Sequence, residues 1–159
     1  MRLRPNAVAI STFDKSGLCL HIVPGSIRQQ KGFTMKLYEH RYMDFVLKDD
    51  RIDFIWKADT EDMDDYGFQY SILRYASFAM EYSVKKVLID LTDFKFSPGE
   101  AAGQFHADYV TKIYNMIGVT KKVFVAPFMD NKIVGQEPGT DYDNAFMKTY
   151  DEAAAWLNT

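Results

Sequence analysis

Thiols are almost missing from this chain: Cys19 is the single cysteine in 159 residues. That excludes an internal disulfide framework and a zinc site built on several thiolates, and it suits a reducing, cytoplasmic setting. No run reaches the ~18 uninterrupted apolar residues of a membrane span. Asp14 and Lys15 interrupt the N-terminal segment before the apolar stretch of a signal peptide can form, so the chain is expected to remain in the cytoplasm. Neither phosphate loop, G-x-x-x-x-G-K-[ST] or G-x-G-x-x-G, occurs, and the nucleophile elbow G-x-S-x-G is missing. His21, His40 and His106 stand apart, none in H-E-x-x-H spacing, and Cys19 with His21 makes only an isolated C-x-H. His106 lies two residues before Asp108, a spacing that sends helical side chains to different sides, so no His–Asp dyad is expected and His106 reads as a surface or partly packed residue. No cofactor or metal is expected.

Basic charge is scarce where most of the chain lies. Residues 1–34 carry Arg2, Arg4, Lys15, Arg28 and Lys31 against Asp14 alone, a balance of +4, and residues 35–159 carry −7 within a total of −3. An acidic body lacks the clustered cations that a phosphate backbone requires, which argues against a nucleic-acid partner. The sign change, with weak periodicity and glycine or proline at Gly17, Pro24, Gly25 and Gly32, divides residues 1–34, expected to be a tag, leader or over-extended start, from a domain over 35–159. At most a short strand is expected in the first part, at Leu18–Val23.

Aromatic residues are plentiful, at 15% of the chain, and the excess is expected in the core, in an interface or around a ligand, with packing inside the chain taking most of it. The organising stretch is Lys85–Gly103. Val87, Leu88, Ile89 and Leu91 make a short apolar run, the pattern of a central strand covered on both faces. Ser97-Pro98-Gly99-Glu100 then reads as a helix start, with Ser97 as N-cap, Pro98 at the first position and Glu100 completing a capping box. Upstream, Tyr38–Leu47 and Arg51–Lys57 read as a hairpin joined by Lys48-Asp49-Asp50. Asp59 or Thr60 is expected to cap a helix over Glu61–Tyr82, with Glu61, Asp62, Asp64 and Asp65 placed in its first turns by the macrodipole rather than by a cation. Downstream, Ala102, Phe105, Tyr109, Ile113 and Ile117 recur at helical spacing as far as Gly118. Val123–Ala126 and Asn144–Lys148 read as strands, Asn131–Gly135 as a helical turn, and Thr149-x-x-Glu152 as a capping box before a terminal helix. The order β-β-α-β-α-β-(α)-β-α predicts an α/β layer fold with a mostly parallel sheet of about five strands.

Three features, KKVLIDLTDF, SPGEAAG and TYDEAAAWL, together with this order over residues 35–159, give the chain a resemblance to the STAS superfamily and its SpoIIAA-like (anti-sigma-factor-antagonist-like) branch. The resemblance implies a single regulatory, protein-binding domain that acts by contact, including homodimerisation. In phospho-regulated members an Asp-Ser or Asp-Thr pair opens the helix after the central strand. Here Phe96 precedes Ser97 and Pro98 follows it, so Ser97 is expected to be a cap rather than a phosphosite.

Asp90 and Asp93 flank the end of the central strand, where α/β sheets bind ligands. As a pair they can serve as acid and base, or satisfy backbone donors of the turn, and the second role is expected. The leading expectation is a non-catalytic contact module of unknown protein partner. The alternative is a carrier or sensor of a small apolar ligand or lipid, with Tyr66, Tyr70, Tyr75, Phe78, Phe105 and Tyr109 forming the apolar interface or pocket. An enzyme using Asp90, Asp93 and His106 stands third.

Overall fold

The computed structural model describes residues 32–159. The expected strand Leu18–Val23 and the Cys19/His21 pair lie outside the described residues, as does nearly all of the 1–34 segment. In chain order, β1 (Thr34–Glu39), β2 (Met43–Lys48) and β3 (Arg51–Trp56) lead through a 3-10 turn (Ala58–Asp62) into α1 (Asp65–Glu81) and β4 (Lys86–Asp90). A helical rod follows, made of α2 (Glu100–Phe105), a π-helical segment (His106–Thr111) and α3 (Lys112–Ile117). β5 (Lys121–Val125), β6 (Lys132–Gln136), β7 (Asp143–Met147) and α4 (Tyr150–Leu157) complete the domain. No helix among the described residues is long and apolar enough to cross a membrane.

The α/β class is as expected; the sheet is larger and less parallel than expected. It has seven strands in the order β1-β2-β3-β4-β5-β7-β6. Pairing is parallel from β3 through β4 and β5 to β7, and antiparallel at β1–β2, β2–β3 and β6–β7. Two elements account for the difference. The run read as one strand, Tyr38–Leu47, reverses at His40–Tyr42, so its first part belongs to β1. Asn131–Gly135, read as a helical turn, lies mostly in β6, an edge strand with Ile133 exposed. Segments this short carry too few apolar positions for their period to separate strand from turn. The β2–β3 hairpin forms where expected, with Lys48 opposite Arg51 and Asp49 in the left-handed region at φ 53°.

Three consecutive apolar positions in a strand need cover on both faces, since neighbours point to opposite sides. In β4, Val87 and Ile89 join one core with α1 and the helical rod, and Leu88 joins another beneath α4. Both crossovers, β3–α1–β4 and β4–rod–β5, step the same way along the sheet, and right-handed connection therefore puts α1 and the rod on one face. On the other face, Thr149 and Glu152 form the expected capping box that starts α4. The fully buried Asp53 pins that start, gripping Arg51 at 2.7 Å and Lys48 at 3.3 Å and accepting the Tyr150 hydroxyl.

Helix starts are displaced from the expected positions. Thr60 is buried in the 3-10 turn, donating to the Lys57 carbonyl at 2.7 Å and accepting from the Lys95 amide at 2.9 Å. Asp64 is the N-cap of α1, accepting from the Gly67 amide at 2.7 Å. The acidic cluster meets cations, Glu61 with Lys95 and Asp59 and Asp62 with Arg41. Gly99, not Ser97, is the N-cap residue of α2, and no side chain caps it. Ser97 and Pro98 lie exposed ahead of the helix, outside regular secondary structure, and the expected capping box does not form.

Candidate functional site

The π-helical segment decides which side chains the rod turns inward. An α-helix advances 3.6 residues per turn, so a ladder in steps of four drifts by about 40° per step. A π turn takes in an extra residue and cancels that drift. Ala102, His106, Val110 and Tyr114 consequently share the inner side, with Ala102, Val110 and Tyr114 at 1% exposure. Tyr109, expected inside, is turned out to 54% exposure. The same turn joins residues five apart, bringing Thr111 Oγ1 within 3.3 Å of His106 Nδ1.

Between this rod, α1 and the sheet lies a cavity of about 390 Å³, within the range of small-molecule sites. Its floor is Phe54, Ile89, Phe124 and Phe146, the side chains that successive strands place at one level of the sheet. Trp56, Phe68 and Phe94 close one end, with the Trp56 ring 4.8 Å from Phe94 and stacked on Phe68 at 5.8 Å. Tyr75 and Tyr114 form the helical side, and Pro98, Ala102 and Gly103 stand at the rim. Burial keeps both tyrosines neutral far above the ordinary phenol range, and the Tyr75 hydroxyl donates to the Ile52 carbonyl at 3.0 Å.

The opposite end is polar. Lys122 occupies the strand level before the floor, paired with Val87 on one side and Asn144 on the other. Trp56 stands four residues beyond the Ile52–Val87–Lys122 level, so the cavity runs about 13 Å along the strands from one to the other. Lys122 is only 5% exposed. Its Nζ sits 5.1 Å from the ring centres of both Phe124 and Tyr142, and nothing among the described residues forms a hydrogen bond or ion pair with it. Burial lowers its pKa from 10.5 to about 8, the negative charge of Glu137 only partly opposing this. His106 lines the same end. Burial, and then the charge of Lys122, lower its pKa from 6.5 to about 4, so the imidazole is neutral at pH 7. A second hollow of about 380 Å³, lined by His106, Thr111, Lys122, Glu137 and Thr140, adjoins this end. Beside Lys122, the buried Asn144 Oδ1 has no hydrogen-bond partner among the described residues. The described residues contain no cluster of three or more His, Cys, Asp or Glu side chains suited to a metal ion.

Of the residues singled out from sequence, only Tyr75 and His106 line the cavity. Tyr66, Tyr70 and Tyr109 are exposed on the outside of the helices. Phe78 packs on Tyr38 and Phe45, and Phe105 on Tyr109. Asp90 accepts from the Thr92 amide at 2.9 Å and the Thr92 hydroxyl at 2.6 Å, a turn-forming role, and neither it nor Asp93 reaches the cavity. Lys122 lies just outside the expected strand Val123–Ala126, whereas β5 begins at Lys121. The alternation in KKVFV carried the signal: with Val123 and Val125 on one face, Lys122 and Phe124 must share the other. No protein-family model, curated protein or solved structure matches the chain.

Proposed function

We propose that this domain binds a small, largely apolar molecule in the cavity between the sheet and the helical rod, and serves as its carrier or sensor. The observation that carries the reading is an aromatic cavity of ligand size that ends at a buried lysine with no partner in the described fold. Apolar walls of this kind offer dispersion contacts to an apolar occupant. The rings at both ends give such an occupant a defined orientation. The reading assigns the cavity no reaction. Native mass spectrometry of the full chain, purified under gentle conditions, tests it. The expected result is a species a few hundred daltons heavier than the chain (the scale of ligands that fill such pockets), with the added mass lost in organic solvent. A bare chain that also fails to bind an apolar fluorescent dye would refute the reading.

A second reading, contact between protein chains as the SpoIIAA-like resemblance implies, draws on a different observation. Tyr66, Tyr70, Leu73 and Met80 form a stripe at helical spacing along the outside of α1, with Tyr66 76% exposed. A second copy of the chain would cover it in a symmetric dimer. Sedimentation of the chain and of Tyr66→Lys checks this, a monomer at all concentrations counting against it.

A further inference from the structure

Resting on the cavity-binding reading, we propose that the ligand is an apolar carboxylic acid whose carboxylate is held by Lys122 at the polar end of the cavity. Nζ keeps some contact with solvent through the adjoining hollow, but an ammonium held mostly out of water is ordinarily paired, because lost hydration without a partner is costly. Here the two rings that flank Nζ soften that cost but supply no acceptor. The tail of the ligand would then lie along the Phe54–Phe124–Phe146 floor towards Trp56. The charge count selects the head group. Among the described lining residues Lys122 is the single cation and Glu137 the single carboxylate; Glu137 is exposed and screened by solvent, and Lys122 is 5% exposed, so the ammonium dominates the field inside the cavity. One ammonium, with an exposed carboxylate at the cavity's edge, matches a monoanion and leaves the second charge of a phosphate dianion unpaired. A ligand amine would meet Lys122 as a like charge.

The probes are decanoate, decanol and decylamine, matched in chain and different in head, titrated into the full-length protein at pH 7 with calorimetry and tryptophan fluorescence, to which Trp56 and Trp156 both contribute, as readouts. Decanoate is expected to bind about 10–100-fold more tightly than decanol, the range for a buried charge-assisted pair, and decylamine more weakly than either. In Lys122→Met the decanoate advantage should vanish while decanol affinity stays within about threefold, because the apolar wall is intact.

A pH series on the unmodified protein gives an independent check. The titratable groups facing Lys122 are His106, Tyr114, Glu137 and Tyr142. His106, at about 4, and the two tyrosines, raised by burial, stay neutral from pH 7 to 9. Decanoate affinity should therefore hold up to about pH 8 and fall by up to tenfold per unit above it, as the free protein loses the Lys122 proton. Decanol affinity should not change. Equal binding of decanoate and decanol, or a decanoate preference that survives in Lys122→Met, would overturn the anchor and leave the cavity reading standing. Failure of all three probes to bind would overturn both.

Discussion

Replacing Lys122 by methionine should make the protein more stable. The ammonium is kept in the fold at a cost that its pKa measures. Lowering from 10.5 to about 8 corresponds to roughly 3 kcal/mol, at about 1.36 kcal/mol per unit. Contacts with the Phe124 and Tyr142 rings return about 1 kcal/mol of this, so a methionine of similar length should gain about 2 kcal/mol at pH 7. The sign of the pH dependence follows from proton counts. Below about pH 8 Lys122 is protonated both folded and unfolded, and the full cost is present. Between about 8 and 10.5 the folded chain has lost a proton that the unfolded chain keeps, so the cost fades as pH rises. The advantage of Lys122→Met should shrink to under about 1 kcal/mol at pH 10. Urea denaturation of both proteins at pH 7 and pH 10, followed by tryptophan fluorescence, measures this, and tyrosine ionisation in the unfolded chains cancels in the difference. A variant less stable than the parent at pH 7, or a gain that is the same at both pH values, would refute the reasoning.

The His106 ring, identified by comparison with His106→Gln, should titrate in NMR with a midpoint near 4. Its burial as the neutral form contributes stability that is present above about pH 6.5 and is lost as pH falls towards 4; a midpoint near 6.5 would mean that the ring is solvated. Asp53→Ala should cost about 3–5 kcal/mol in urea denaturation, because it strands Arg51 and Lys48 beneath α4 without their shared carboxylate. A loss below about 1 kcal/mol would show that solvent replaces that carboxylate. Gly103→Ala should gain about 0.5–1 kcal/mol in the same assay, since a Cβ there meets nothing within 4 Å and glycine is a poor helix former. No gain would mean that the start of the rod does not hold its helix in solution.

Elements with strong local chemistry were legible in the sequence. The apolar run of β4, the Thr149–Glu152 capping box and the stop at Gly118, with φ 72°, all form where the residues place them. The hairpin turn at Asp49-Asp50 does too. Misreadings occurred where two local choices were close in energy. Either Ser97 or Gly99 can precede a helix, and Gly99, with φ −78° and ψ 179°, takes the N-cap position. Asp64 displaced Asp59 and Thr60 as the cap of α1 because the Thr60 hydroxyl is engaged with Lys57 and Lys95.

The sequence by itself determined the α/β class, the central strand, the helix ends with unambiguous caps, and an aromatic surplus that had to be buried or presented. These follow from neighbours within a few residues, where backbone sterics and side-chain periodicity act. The cavity was decided by tertiary structure alone. Its lining comes from four strands and both helices of one face, and one π turn rotates His106, Val110 and Tyr114 inward while turning Tyr109 out. Lys122 is polar in the sequence and becomes a buried residue, without an ion-pair partner among the described residues, only because β5 is covered on both faces. A residue's alternation in its strand states which side it faces, and only the assembled sheet and helices determine whether that side is water, core or ligand.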